Sequence, residues 1–404
     1  MKVFIQLQVL IICILLLPEL LLGQDTTNLA QDTINIDVNN TTTVSDTPVT
    51  KSKIYYLLRK RFYKDENDTL VIDKKGFTVK PSLTPGVGYR VRRHKGKDPF
   101  AFEHSLIAYY GLTKGSFYIE YKSIFNQVIG NWNLTLTGRA DLPNSVYFFG
   151  VGNETEMSED EKNKFYRLYS REYYASIGIN RLINKVHYLE FSPFYQTVKI
   201  KDNDDKFIHT YLPFLSLKDL EQKHFAGAFA TYSYRKQNDP LVPTKGFAFD
   251  VSAAPTFNIK STDESDDNFT RYTSSASFYL PLSRTITLAF RAGGATIQGG
   301  AEFYQLNKLG GNENLRGFRR QRFYGKHSFY NNNDLRWMVT TNNRFFDGKI
   351  GLLAFVDEGR VWQPGEDSNK WHIGYGGGPI IQVFNQLLVN GTYGFSKEDA
   401  LFHL

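Results

Sequence analysis

Cysteine is almost absent from the sequence, because the only one, Cys13, lies in an apolar stretch near the N-terminus. If that stretch is cleaved off as an export signal, the remaining chain can form no disulfide and has no thiol for chemistry.

The sequence also has no Gly-x-Ser-x-Gly elbow, no His-Glu-x-x-His pair and no phosphate-binding loop. Its eight histidines are dispersed, and none pairs with another at metal-ligand spacing. We therefore predict that the protein is not an enzyme and holds no cofactor or metal. A catalytic set assembled from distant strands remains the alternative.

Charge of one sign is not concentrated in any stretch either. The 48 Lys and Arg residues exceed the 41 Asp and Glu residues by a formal charge of +7, and the basic residues are scattered through alternating segments. A nucleic-acid-binding surface usually needs clustered basic residues. The sequence therefore predicts no nucleic-acid partner.

The N-terminus has the pattern of an export signal. Lys2 precedes the apolar core at residues 9–17, which Pro18 and Glu19 then interrupt. We predict a signal peptide over residues 1–23. Residues 24–74 are predicted to form a flexible periplasmic tether, because they are rich in Thr, Asn and Asp. The basic aromatic segment within this tether, KIYYLLRKRFYK, is either an amphipathic turn at a membrane surface or an ordinary linker.

Residues 75–404 alternate between apolar and polar side chains with a period of two, which is typical of β-strands. One such segment alternates Phe247, Phe249 and Val251 with Ala248, Asp250 and Ser252. A soluble sandwich and a membrane barrel both produce this pattern. About 330 residues without a domain break are too many for one sandwich, but suit about 16 strands at roughly 20 residues per strand and turn. The predicted fold is all-β: a transmembrane antiparallel β-barrel of about 16 strands.

Pairs of aromatic residues cluster near the ends of the predicted strands. Aromatic girdles at the two membrane interfaces are typical of barrels, so we interpret the pairs as parts of such girdles. The pairs are Tyr109–Tyr110, Phe148–Phe149, Tyr173–Tyr174 and Phe345–Phe346.

A glycine-rich segment between two predicted strands, LGGNENLRGF at residues 309–318, carries an arginine at its tip. Its glycines exclude a stable helix. If Val356 of a later strand faces lipid, its neighbour Asp357 faces the lumen, where an arginine on an inward-folded loop could pair with it. The other interpretation is a loop that contacts only water and an Asp357 that lines a wet channel. The tip residues are Leu315, Arg316, Gly317 and Phe318.

Five motifs occur in order along the chain: FFGVGNET (148–155), NDPLVPTKG (238–246), LGGNENLRGF (309–318), FVDEGRVW (355–362) and HIGYGGG (372–378). On these motifs the sequence resembles the superfamily of outer-membrane protein assembly factors and bacterial surface antigens, whose barrels are of the BamA/TamA type.

The resemblance implies an outer-membrane barrel of a Gram-negative cell, with the loop that carries Arg316 folded back into the lumen. There Arg316 would contact an acidic residue of the wall, for which Asp357 is the first choice and Asp334 the second. A weakly paired seam between the first and last strands would let protein or lipid pass into the membrane. The implied partners are outer-membrane lipid and, further, client outer-membrane proteins or subunits of an envelope complex.

The sequence departs from assembly factors at both ends. Residues 24–74 are too few and too polar for the periplasmic POTRA domains that precede such barrels, and the last strand is expected to be several residues short. Three functions follow as hypotheses. The barrel assists insertion or translocation of protein or lipid through its seam, or it is a passive pore, or it anchors an envelope complex.

Overall fold

A computed structural model of the chain describes residues 71–80, 84–94, 100–111, 116–158, 160–215, 220–260, 268–342, 347–384 and 387–403, with the backbone alone up to residue 85. The predicted signal peptide and most of the predicted tether, including its basic aromatic segment, lie outside the described residues. The first described strand begins at Val71, inside the tether predicted over residues 24–74.

The described residues are mostly β-strand. Their single α-helix is α1 (Phe207–Tyr211), and no helix among them is long and apolar enough to cross a membrane. The strands are β1 (Val71–Lys80), β2 (Thr84–Arg93), β3 (Phe102–Gly111), β4 (Ser116–Ile129), β5 (Trp132–Tyr147), β6 (Arg167–Ile183), β7 (His187–Lys201), β8 (Lys223–Gln237), β9 (Gly246–Asn258), β10 (Phe269–Pro281), β11 (Ile286–Gly299), β12 (Asn307–Leu309), β13 (Phe323–Gly325), β14 (His327–Asn342), β15 (Asp347–Trp362), β16 (His372–Val383), β17 (Leu387–Asn390), β18 (Thr392–Phe395) and β19 (Ala400–His403).

Each long strand pairs antiparallel with its neighbours in the chain, from β1 to β11 and on through β14, β15 and β16. The short strands β12 and β13 form a separate two-stranded sheet between β11 and β14. The main sheet has 17 strand segments. Because β17 and β18 pair with β16 in one register on either side of Gly391, they are two parts of one strand. The described residues thus form 16 strands of the main sheet, as predicted.

The two faces of the sheet have opposite chemistry. On β15, Leu352 and Val356 are about half exposed, whereas Asp357 is completely buried. On the neighbouring β14, the side chains of Asp334 and Arg336 are only 12% and 18% exposed. A water-soluble sheet would bury its apolar face, but here the apolar face is bare and the polar face is enclosed, as in a wall that faces lipid. Other apolar side chains on the bare face are Ile177, Ile179, Phe191, Phe278, Leu280, Leu335, Trp337, Tyr375, Tyr393 and Phe395. The predicted transmembrane antiparallel β-barrel is confirmed.

The interpretation of the aromatic pairs is wrong for Phe148–Phe149, because both side chains are buried and lie inside. Successive residues of a strand point to opposite faces, so a pair cannot supply two girdle residues. In the tyrosine pairs only Tyr110 and Tyr173 are strongly exposed. The pair Phe345–Phe346 lies outside the described residues.

From β4 onward, short and long connections between strands alternate around the barrel. We call the end that carries the longest connections the long-loop end and the other the short-turn end, whose turns include 130–131 and 184–186. In outer-membrane barrels the longer loops face the cell exterior and the shorter turns the periplasm. The longest connections span 148–166, 202–222, 259–268, 300–326 and 363–371.

Candidate functional site

The connection between β11 and β14, residues 300–326, folds into the lumen, and we call it the lumen loop. Its glycines Gly310, Gly311 and Gly317 have φ angles of +124°, +92° and +88°, a left-handed region that other residues rarely adopt. These turns bring the apolar side chains of the loop into one cluster against the inner face of β15. The cluster consists of Leu309, Leu315, Phe318, Phe323 and Val361.

Arg316 at the tip of the lumen loop binds Asp357 of β15 through a two-pronged ion pair. Its Nε lies 2.7 Å from one carboxylate oxygen and its Nη2 lies 2.7 Å from the other. The backbone N–H of Arg316 donates to the same carboxylate at 3.0 Å. Asp357 is completely buried. Paired charge-assisted hydrogen bonds of this kind fix the orientation of both groups as well as their separation.

A second aspartate and a second arginine extend this pair into a charge cluster. Arg316 Nη2 also donates to Asp334 Oδ1 at 2.7 Å, and Arg336 Nη2 donates to Asp334 Oδ2 at 2.7 Å. The Arg316 guanidinium lies 3.8 Å above the centre of the Phe355 ring. Two guanidiniums thus face two carboxylates, so the cluster is formally neutral, and removing any one member would leave an unbalanced charge.

The backbone of the loop tip rests directly on the strands that follow β15. A Cβ built on Gly374 of β16 would lie 1.8 Å from the carbonyl oxygen of Arg316, and one built on Gly394 of β18 would lie 2.8 Å from the Gly317 nitrogen. The Gly317 N–H donates to Nε2 of His403 in β19 at 3.0 Å. Sequence reasoning missed these contacts, although glycines within a strand often mark a close backbone approach.

Arg322, on the same lumen loop, ties it to two other connections at the long-loop end. Its Nε lies 2.7 Å from Glu398, which lies between β18 and β19, and its Nη1 donates to the Thr155 hydroxyl at 2.8 Å. The guanidinium also lies 4.6 Å from the centre of the Phe323 ring and 4.8 Å from that of Phe149. Arg322 is completely buried, so these partners replace its contacts with water.

Asn153, in the motif FFGVGNET, joins the long-loop end to β15. Its Oδ1 accepts from the Val361 N–H at 3.1 Å, and its Nδ2 donates to Ser368 at 2.8 Å. Its backbone N–H donates to the Glu366 carboxylate at 2.7 Å. This role could not be predicted from local patterns, because the partners lie more than 200 positions away in the chain.

The turn between β8 and β9, residues 238–245, folds inward at the short-turn end, and we call it the floor turn. Asp239 accepts hydrogen bonds from Lys349 Nζ at 2.8 Å and from Gln382 Nε2 at 3.2 Å, both on the inner wall. Val242 is buried, and it packs with Met338, Leu353 and Ile380. Because β10, β11 and β14 separate β9 from β15 in the sheet, these contacts reach across the lumen.

Burial alone would raise the pKa of Asp239. The hydrogen bond from Lys349, the backbone N–H groups of Val242 and Leu241, and the positive charge of Lys349 outweigh that effect and lower the pKa below its ordinary value of 3.8. The carboxylate is therefore ionised at neutral pH and anchors the floor turn as an anion.

One group of described residues could offer three ligands to a metal ion: Asp202, Asp204 and His209, whose ligand atoms lie within 4.8 Å of one another. All three residues are exposed, and exposed acidic groups are common without an ion. We derive no function from them.

The comparisons with known proteins agree with this geometry. The family model described as the Omp85 superfamily domain matches residues 116–383. The outer membrane transporter CdiB of Dickeya dadantii (strain 3937) is 30% identical over 135 residues, which are 33% of this chain and 24% of that protein. The match thus covers about a quarter of that relative's length.

Two solved structures are similar to the barrel as a whole. BamA from Haemophilus ducreyi lacking POTRA domains 1–3 matches with a TM-score of 0.59 at 13% identity, over 86% of this chain and 75% of that one. CdiB from Escherichia coli matches with a TM-score of 0.51 at 13% identity, over 81% of this chain and 58% of that one. At such identities the likeness shows the fold alone. Because the family model covers more than half of the chain, the protein is an outer-membrane β-barrel that belongs to the Omp85 superfamily.

Proposed function

We propose that the barrel assists the insertion or translocation of protein or lipid at the outer membrane of a Gram-negative cell, after export by the predicted signal peptide. Cargo passes through a weak seam between the first and last strands, and Leu315, Arg316, Gly317 and Phe318 act as a latch on the wall. The names of the relatives, an outer membrane transporter and BamA, are consistent with such a role. No enzymatic step is part of this proposal.

The observation that carries the proposal is that the loop tip rests on a sector of wall built largely from glycine. Within β16, Gly374, Gly376, Gly377 and Gly378 follow one another closely, and Gly376 pairs with Gly394 on β18. Glycine weakens a strand because it has no side chain to pack and loses more conformational freedom on folding. This sector lies beside the last described strand, so the part of the wall that the latch touches is also easy to deform.

The latch and the wall are coupled through the charge cluster. While Arg316 holds Asp357 and Asp334, the loop backbone stays pressed on β16 and β18. Releasing Arg316 removes the support from the glycine sector, which then deforms more easily and lowers the cost of opening the seam next to it. Incoming cargo that adds to the exposed strand edge would stabilise the opened seam, because it satisfies the backbone groups that opening leaves unpaired.

The direct test measures the folding of a urea-solubilised outer-membrane barrel into phosphatidylcholine vesicles. Vesicles that contain the purified chain are expected to accelerate this folding, and the Arg316→Ala variant should change the rate. Arg320→Ala serves as the control, since Arg320 is an exposed arginine of the same loop. The proposal fails if wild-type vesicles give the same folding rate as protein-free vesicles.

A passive pore is the second candidate, because the inner face of the wall opposite the latch is polar. Glu120, Arg139, Glu172 and Glu190 lie on the inner faces of β4 to β7. Charged groups that line a lumen can select small solutes. A large, steady conductance of the purified wild-type protein in planar bilayers would favour the pore. A low conductance together with accelerated folding would favour assisted insertion.

A further inference from the structure

The outward face of β6 and β7 changes its chemistry along the membrane normal. From the long-loop end, β6 presents Arg171, then Tyr173, then Ile177, and all three are exposed. Successive outward residues are about 7 Å apart, since a strand rises about 3.4 Å per residue. The order is thus a cation, a tyrosine at the interface and an aliphatic side chain at hydrocarbon depth.

β7 repeats this order beside β6. From the long-loop end its outward positions include Lys201 and Lys199, then Tyr195, then Phe191, all of them exposed. Two neighbouring strands therefore place Arg171 and Lys199 at one level. A tyrosine lies further into the membrane on each strand, Tyr173 two residues from Arg171 and Tyr195 four residues from Lys199. On a barrel whose long loops face the cell exterior, the level of the two cations is the headgroup layer of the outer leaflet.

The cations on the two strands face each other. Arg171 lies directly opposite Lys199 in the β6–β7 register, and residues so paired point to the same face. Like charges directly opposite each other are destabilising. In the part of the chain that the structure describes, neither Arg171 nor Lys199 pairs with a carboxylate, while exposed Asp205 lies near Lys201. An anion bound from outside the protein would relieve the repulsion between Arg171 and Lys199.

Among the strands whose side chains the structure describes, no other repeats this cluster at the long-loop end of the outer face. Their exposed side chains near that end include the aromatic residues Tyr110, Phe117, Phe257, Phe329 and Trp362. Such aromatic residues suit any lipid interface. The cations are thus a local feature of β6 and β7.

We propose that Arg171, Lys199 and Lys201 bind the phosphate-bearing headgroup of a glycolipid in the outer leaflet. The guanidinium of Arg171 binds one phosphate with two parallel hydrogen bonds, and the lysines add positive charge beside it. The phosphate neutralises the opposed pair of Arg171 and Lys199. The acyl chains then lie along Tyr173 and Tyr195 and the aliphatic surface below them. This site is separate from the lumen loop, so it does not depend on the latch.

The test measures glycolipid binding by native mass spectrometry of the purified full chain in detergent, titrated with bisphosphorylated lipid A. The double variant Arg171→Gln/Lys199→Gln is expected to weaken the apparent affinity roughly 30-fold. Each cation near an anionic lipid surface strengthens binding about fivefold, and the variant removes two of them. The control is Lys236→Gln, which removes an exposed outward lysine of β8 at the short-turn end and should bind like wild type. Arg171→Lys keeps the charge and should retain most of the affinity.

Two further measurements make each outcome decisive. The heat-modifiable gel band shows whether the double variant is folded, and phosphatidylethanolamine, which has no net charge, should bind equally to wild type and variant. Equal lipid A affinity of folded wild type and double variant would overturn the proposal. Full displacement of lipid A by millimolar inorganic phosphate would also overturn it, because the site would then bind a free anion and not a lipid. Loss of affinity in the Lys236→Gln control would show that only net charge matters and would likewise refute the site.

Discussion

The backbone N–H of Gly317, at the tip of the lumen loop, donates a hydrogen bond to Nε2 of His403 in the last described strand, with 3.0 Å between the two nitrogens. Both residues are buried. Because Nε2 accepts in this bond, the ring carries its hydrogen on Nδ1. This hydrogen bond therefore breaks if the loop tip and β19 move apart.

Replacing His403 by phenylalanine tests this bond. The His403→Phe variant keeps a flat ring but leaves the Gly317 N–H without an acceptor in a buried place, at a cost of about 1–3 kcal/mol. We expect the heat-modifiable band on unheated gels to be lost at a lower temperature than in wild type. His327→Phe is the control, because His327 is exposed at the start of β14. Equal melting of the two variants would show that the bond contributes nothing.

Arg316 and Asp357 are expected to behave as one unit. Arg316→Ala leaves the buried carboxylate of Asp357 without its partner, which should destabilise the barrel by about 3–5 kcal/mol. Arg316→Lys should recover only part of this, since a lysine cannot form the two-pronged pair. The double variant Arg316→Ala/Asp357→Ala should be less destabilised than the sum of the two single variants.

Wild type, the two single variants and the double variant form a double-mutant cycle. For each of them, the temperature at which the folded gel band is lost measures stability. Arg320→Ala, an exposed substitution on the same loop, should leave it unchanged. Additive effects of the two single variants would contradict direct coupling, and wild-type melting of Arg316→Ala would remove the latch from the proposed function.

The barrel could be predicted from the sequence because its signal is local. Alternation with a period of two needs only neighbouring residues, and it places Val356 on the bare face and Asp357 on the enclosed face without knowledge of any distant strand. The resemblance to a known superfamily then named Arg316, Asp357 and Asp334 together. The structure places these three in contact, while their role as a latch stays a prediction.

The contacts that cross the lumen could not be predicted, since nothing in a local pattern says which parts of a closed wall face each other. Asn153, Arg322 and Asp239 each bind residues far away in the chain. The sequence shows the motif that contains Asp239, NDPLVPTKG, but not the direction in which it folds. Its inward fold depends on the burial of Val242 against three strands, which the sequence does not reveal.

Gly374 should not tolerate even one added methyl group. In Gly374→Ala the new Cβ would lie 1.8 Å from the carbonyl oxygen of Arg316, a backbone atom that cannot move without shifting the loop tip. The variant should therefore lower the melting temperature of the folded gel band and increase protease cleavage within the lumen loop. Gly138→Ala on β5 is the control, because a Cβ there meets no atom within 4 Å. If both variants melt and resist protease alike, the tip does not rest on β16.

The floor turn should close the short-turn end of the lumen in a pH-dependent way. The hydrogen bonds and charge of its partners lower the pKa of Asp239 despite its burial, so its anchoring is fully present above the ordinary value of 3.8 and is lost as the pH falls through the lowered value. Wild-type conductance in planar bilayers should thus stay low and constant from about pH 8 to pH 5 and rise only below the ordinary carboxyl range.

The Asp239→Asn side chain carries no charge and cannot hold Lys349 by an ion pair. The conductance of this variant should therefore be higher throughout that pH range and should change little with pH. Asp250→Asn removes the same charge from the inner face of β9 without touching the turn, and it should conduct like wild type. If Asp250→Asn raises the conductance as much as Asp239→Asn does, lumen charge and not the floor turn controls the opening.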